Sequence, residues 1–208
     1  WNGTETLTFT VNDNQDRAVA SDSMDIIVTP VNDAPVLTYI GDQVTAEDVP
    51  LTLTLDATDV DEDDITFNAT SEYPENVAVE VSGNQLTLIP AYNWNGSVNI
   101  QVTVSDSVSN EIGNDLSDSE NFSLTVTPVN DAPTIELPES FTFDEDGSLD
   151  EDFSDYLNDI DEDALTLTVS GNDSITVDIN NFVVTFGSAQ DWNGTETLTF
   201  TVNDNQDR

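Results

Sequence analysis

The chain has 208 residues, 43 of them Asp or Glu against 2 Lys or Arg, which gives a formal net charge of −41; it contains no His and no Cys. This excludes a basic surface for nucleic-acid backbones or anionic membranes, a disulfide framework or thiolate metal site, and imidazole-based catalysis or zinc binding. What the composition supplies in abundance is carboxylate oxygen, which suits hard cations and above all calcium.

Acidic chains are often disordered, but 37% of these residues are hydrophobic and they alternate in short runs, as half-buried strands do. In chain order the runs are ETLTFTV (5–11), MDIIVTPV (24–31), LTLTLDA (51–57), DITFNAT (64–70), VAVEV (77–81), QLTLIP (85–90), VNIQVTV (98–104) and NFSLTVTPV (121–129). They are rich in Val, Ile, Thr and Phe, and turn residues separate them: SGN at 82–84 and 170–172, and WNG three times. DFSDYLND (152–159) is the one helical candidate, good for a turn or two. No stretch approaches the roughly 18 apolar residues of a membrane span. The first residue is Trp and no signal peptide precedes it, so the chain is expected to be a piece of something longer.

Repeats organise these runs. Residues 1–17, WNGTETLTFTVNDNQDR, recur unchanged at 192–208, and a divergent copy begins at Trp94. TPVNDAP occurs at 29–35 and at 127–133; AEDVPL (46–51) is matched by DEDGSL (144–149), and DVDEDDITF (59–67) by DIDEDALTL (159–167). The unit is thus a domain of just under 100 residues. Residues 1–34 are expected to be the C-terminal part of a truncated repeat, 35–132 a complete repeat, and 133–208 a repeat lacking its last strand. About seven short strands in a domain of this size imply an all-β fold of tandem Greek-key β-sandwiches, immunoglobulin-like and arranged end to end. Trp94 and Trp192 stand where strands begin and are read as plugs of the core.

Four acidic groups recur in register: Asn32–Asp33 with Asn130–Asp131, Glu47–Asp48 with Glu145–Asp146, the runs Asp59-x-Asp61-x-Asp63 and Asp159-x-Asp161-x-Asp163, and Asp106 with Asp13 and Asp204. Read as extended chain, residues two apart face one side, so the carboxylates of each run converge. Convergent carboxylates repel unless a cation lies among them, and calcium takes six to eight oxygens at about 2.3–2.6 Å. An EF-hand loop from Asp59 to Thr70 is excluded: its sixth position is Asp64 rather than Gly, and its twelfth is Thr70 rather than Glu.

With these motifs in place, TPVNDAP resembles the DxNDNAP linker of cadherins, and the upstream Glu, the DxD pair and the late Asp follow in cadherin order. The VTPVNDAP ending, the EDG turn, ATDVDED and WNG resemble more closely the cadherin-like tandem repeats of large bacterial surface adhesins. That family implies calcium-binding β-sandwiches with ions at the inter-domain junctions. Carried over, the metal ligands at the first junction are Asn32, Asp33, Asp59, Asp61 and Asp106. At the second they are Glu47, Asn130, Asp131, Asp159, Asp161 and Asp204, with Asp163 left as a solvated neighbour. The LDRE-type motif of cadherins is absent; NWNG (93–96) and DWNG (191–194) occupy a comparable place.

The leading functional expectation is a calcium-stiffened extender of a secreted or surface-anchored, extracellular bacterial adhesin, since each added copy lengthens a stalk. The alternative is a calcium-dependent carbohydrate-binding module using Tyr92 and Trp94 against a glycan or cell-surface ligand. An enzyme is not expected, because acid pairs recurring in each repeat do not make one cleft. A halophilic surface with no specific ion would scatter its acids rather than repeat them in register. The expected partners are neighbouring repeats of the same chain and, through the incomplete end repeats, a second copy bound head to tail: residues 1–34 of one molecule supply the strand that the third repeat of the next lacks.

Overall fold

The computed structural model describes residues 2–15, 19–107 and 115–206. They form two compact units, Trp1–Thr127 and Pro128–Arg208. No helix is long and apolar enough to cross a membrane.

The first unit opens with β1 (Gly3–Asn12) and β2 (Val19–Val28), an antiparallel pair in unbroken register from Gly3↔Val28 to Asn12↔Val19. Alternating Thr and apolar residues make it a good pair of strands, yet its apolar side chains, including Phe9, Met24 and Ile26, are exposed. Among the described residues no second sheet covers this pair. The strands that follow are β3 (Val36–Leu37), β4 (Gln43–Ala46), β5 (Leu51–Thr54), β6 (Ala57–Thr58), β7 (Asp64–Ser71), β8 (Val77–Ser82), β9 (Gln85–Pro90), β10 (Gly96–Ser107) and β11 (Ser117–Thr127).

They build one sheet ordered β4-β11-β10-β7, a second ordered β5-β9-β8, and the short pair β3-β6. β11 lies antiparallel to β10 and parallel to β4. Because side chains alternate across a strand, β10 turns Val98, Ile100, Val102 and Val104 inward, and β11 turns Phe122, Leu124 and Val126 inward. Leu55, Val77, Leu86 and Leu88 close the same cluster from the other side. Each fully buried aliphatic side chain contributes about 1.5–3 kcal/mol relative to exposure.

The second unit contains β12 (Thr134–Ile135), β13 (Ser148–Asp152), a 3-10 helix (Phe153–Tyr156), β14 (Leu157–Asn158), β15 (Thr166–Ser170), β16 (Ile175–Asn180), β17 (Val183–Ser188) and β18 (Thr199–Asn203). Its sheets are β13-β17-β16, β15-β18 and β12-β14. The core is aromatic where that of the first unit is aliphatic: Phe153 and Phe200 lie 4.8 Å apart, and Phe141, Phe186 and Tyr156 surround Phe153.

The helical candidate at 152–159 forms a single turn, the 3-10 helix Phe153–Tyr156. Asp152 caps the turn, accepting bonds from the Ser154 amide at 3.0 Å and its hydroxyl at 2.5 Å. Leu157 then pairs with Ile135 in β14-β12, and that pairing stops the helix after one turn. The expected β-sandwich architecture is otherwise what forms.

Candidate metal centre

In each unit the acidic residues gather around one turn, and the two turns are built alike. In the first unit the Asn32 side-chain amide donates to Asp106 Oδ2 at 3.0 Å, and the Asp33 amide donates to Asp61 Oδ2 at 2.8 Å. The Asp61 and Asp63 amides both donate to Asp59 Oδ1, at 2.8 and 3.3 Å. In the second unit Asn130 donates to Asp204 Oδ2 at 2.8 Å and the Asp131 amide to Asp161 Oδ2 at 2.7 Å. The Asp161 and Asp163 amides donate to Asp159 Oδ1 at 3.0 and 3.1 Å. Four bonds and their donors thus recur at matching positions.

The run is not extended, and this corrects the sequence reading. Glu62 and Glu162 adopt φ of 63° and 59°, so the chain bends left-handedly between the second and third Asp. That bend lets one carboxylate oxygen of Asp59 or Asp159 cap two amides. It also brings in the residue that the family pattern sets aside. Asp59, Asp61 and Asp63 each offer a carboxylate oxygen within 4.8 Å of the others, as do Asp159, Asp161 and Asp163. The late Asp of each set comes from the β10-type strand and is buried: Asp106 is 2% exposed and Asp204 7%. Their second oxygens accept from backbone amides, Asp106 Oδ1 from Leu116 at 2.7 Å and Asp204 Oδ1 from Gln206 at 3.0 Å.

So many negative groups in one place disfavour ionisation. Burial, then the charges of Asp59, Asp61, Asp106 and Asp64, push the Asp63 carboxyl above the ordinary carboxylate value. Asp59 Oδ2 and Asp159 Oδ2 are buried and have no hydrogen-bond donor. A carboxylate oxygen in that condition costs free energy unless a cation meets it. Oxygens on opposite sides of a calcium ion lie about 4.6–5.2 Å apart, so carboxylate oxygens that lie within 4.8 Å of one another can share one ion. The donor set, all hard oxygen, fits the same ion.

Glu47 does not join the Asn32–Asp106 set of its unit. Its amide donates to Thr127 O at 2.9 Å, at the end of β11. The antiparallel register of β10 and β11 puts that end opposite Gly96, ten residues from Asp106 along β10. The Glu47 side chain is 3% exposed and accepts from the Asn95 amide at 3.5 Å; Glu145 accepts from Asn193 at 3.4 Å. Beside them Asp48 takes the Asn93 amide at 2.9 Å and Asp146 the Asp191 amide at 3.0 Å. Each Glu-Asp pair therefore holds the NWNG or DWNG turn, a link the repeated spacing carries but single motifs do not reveal. Trp94 packs against the core as expected, and Trp192 is half-buried.

The sequence profile of the bacterial Ig domain matches residues 32–115 and 130–208. Among solved structures, mouse cadherin-23 EC22-24 superposes with a TM-score of 0.58 at 17% identity, over 97% of this chain and 68% of that one. Drosophila N-cadherin EC1-4 gives 0.43 at 14% identity, over 98% and 55%. Other solved chains it matches are longer, and this chain spans 26% and 33% of two of them. No curated protein sequence matches it. Two profile matches covering most of the chain, on sandwiches that share the cadherin fold, establish that the chain belongs to the bacterial Ig domain family.

Proposed function

We propose that this chain is a calcium-stiffened extender segment of an extracellular bacterial adhesin, either secreted or anchored at the surface. The observation that carries the reading is the twin acidic turn, with a buried and donorless Asp59 Oδ2 in one unit and Asp159 Oδ2 in the other. Asn32, Asp33, Asp59, Asp61, Asp63 and Asp106 would hold an ion in the first unit. Asn130, Asp131, Asp159, Asp161, Asp163 and Asp204 would do so in the second, and the cadherin resemblance adds Glu47. A bound cation there would neutralise the mutual repulsion of the set and fix the turn that follows each Asn-Asp-Ala-Pro segment. The boundaries at 34/35 and 132/133 are then the repeat boundaries of the array.

The carbohydrate reading has less support. Trp94 is engaged with the core, which removes one of the two rings a sugar platform would need.

The test is calorimetric titration of the chelator-treated protein with calcium. Saturable binding is expected, lost from one unit in Asp59→Asn and from the other in Asp159→Asn. Absence of binding at millimolar calcium would overturn the proposal.

A further inference from the structure

We infer that the Asn95–Gly96 and Asn193–Gly194 bonds are sites of spontaneous deamidation in the folded chain, and that each conversion sets a new carboxylate against a glutamate already in place. Asparagine is among the thermolabile residues. Its side-chain amide is lost fastest before glycine, because the next backbone nitrogen must close on the Asn Cγ and a Cβ would crowd that approach. Asn-Gly occurs three times in the chain, each time after Trp. In the two turns held by a Glu-Asp pair the indole dictates the glycine. A Cβ at Gly96 would lie 3.0 Å from the Trp94 ring, and one at Gly194 would lie 3.0 Å from the Trp192 ring. Gly96 adds a φ of 146°, which other residues rarely adopt, and Trp94 is packed against the core. Packing therefore keeps the most reactive successor behind both asparagines. Asn95 and Asn193 are exposed and lie outside any strand. Water reaches them, and among the described residues no ladder pairing includes them to resist the bend that ring closure needs.

The reaction needs only solvent. The Gly96 nitrogen bonds to Asn95 Cγ, the Cγ–Nδ2 bond breaks, and the proton lost from the Gly96 N–H leaves with Nδ2 as ammonia. Water then opens the cyclic imide at either carbonyl, leaving an aspartyl or an isoaspartyl link, each with a free carboxylate. The fold decides what that carboxylate meets. Asn95 Nδ2 donates to Glu47 Oε2 at 3.5 Å, and Asn193 Nδ2 to Glu145 Oε2 at 3.4 Å. Deamidation replaces this donor with an acceptor. The Glu47 side chain that faces it is 3% exposed, and like charges beside a buried carboxylate repel with little screening. The isoaspartyl form also lengthens the main chain by a methylene group between Trp94 and β10. Each turn is held by a bond when the protein is new and pushed apart by charge as it ages.

In the test, the folded protein is incubated with chelator at mildly alkaline pH in water enriched in heavy oxygen. Its peptides are then read by mass spectrometry, with fragmentation that separates the two linkages. Asn95 and Asn193 are expected to take up label at least about tenfold faster than Asn68 and Asn99, exposed asparagines that precede Ala and Ile, and the isoaspartyl form should be among the products. Uptake at Asn95 no faster than at Asn68 and Asn99 overturns the inference. A second arm reads the consequence. Asn95→Asp should lower the melting midpoint in chelator, and the loss should shrink in a Glu47→Gln background, where the facing charge is gone. An equal loss in both backgrounds, or none, overturns the placement of the new charge against Glu47. Chelator is present throughout, so both results stand apart from whether the acidic turns bind calcium.

Discussion

Asp163 and Asp63 are the residues whose roles change most once the turn is seen. Their amides bond to the first Asp of the run and their carboxylates face its other members. Removing one charged ligand weakens a calcium site. Asp163→Asn is therefore expected to lower calcium affinity about tenfold, a loss comparable to Asp161→Asn, in the same calorimetric titration. Equal affinity in Asp163→Asn and the parent would return Asp163 to the solvent. Without calcium the sign of the titration of Asp63, the counterpart in the first unit, follows from the direction of its shift. The folded Asp63 carboxyl binds its proton more tightly than the unfolded one, so the protein without calcium loses stability as pH rises from the ordinary carboxylate value through the raised one. Glu196 behaves oppositely. The Asp173 amide, ahead of burial and then the Ile175 and Ser174 amides, sets its balance and holds it below the ordinary value. Asp152 is likewise held low by the Ser154 hydroxyl and amide. Their contribution is present above the unfolded carboxylate pKa and is lost as pH falls through the lowered folded values. Glu196→Gln should flatten the acid limb of the stability curve and speed amide exchange at residues 173–175, measured by hydrogen exchange; unchanged protection would show that the loop is held by other bonds.

At the scale of elements, the 3-10 helix is a one-turn plug whose purpose is to bury Phe153 against Phe200, Phe141 and Phe186. Phe153→Ala should destabilise the second unit by about 3–5 kcal/mol, seen as an earlier denaturant transition of that unit with the first unit unmoved. The WNG turn is constrained differently. Gly96 has φ of 146°, and a Cβ there would lie 3.0 Å from the Trp94 ring. Gly96→Ala should cost about 1–3 kcal/mol, since it combines a disfavoured backbone with a close contact; a neutral result in thermal melts would mean the indole can swing away. The strands were legible because alternation of apolar residues with Thr or Ser is a direct image of one buried face. Asn32, Asp33, Asp59, Asp61 and Asp106 were legible as a set because the same types return in register at Asn130, Asp131, Asp159, Asp161 and Asp204. The left-handed Glu62 and Glu162 were not. Nothing in D-E-D distinguishes an extended run from a turn, and it was the family resemblance, not the residues themselves, that set Asp163 aside as a solvated neighbour.

For the whole molecule, charge dominates. Self-repulsion among 41 excess negative charges opposes compaction at low salt. Calcium bound only by the folded form would add about 2.7 kcal/mol per site at a hundredfold excess over its dissociation constant. Chelation is therefore expected to lower the melting temperature by about ten degrees or more in low-salt buffer, and less in high salt. Superimposable melting curves with and without chelator would sink the calcium reading. The contrast between the aliphatic core of the first unit and the aromatic core of the second bears on something else: the fidelity of folding. Tandem domains misfold most readily by trading equivalent strands with a neighbour. Here Val102 of one unit answers to Phe200 of the other, so a strand traded into the aromatic core would leave a hole, and the reverse trade would overfill the aliphatic one, at about 1–3 kcal/mol for the overpacked case. Adjacent repeats are thus mutually incompatible in size. The copies that could be confused, residues 1–17 and 192–208, are held apart along the chain by the divergent repeat between them.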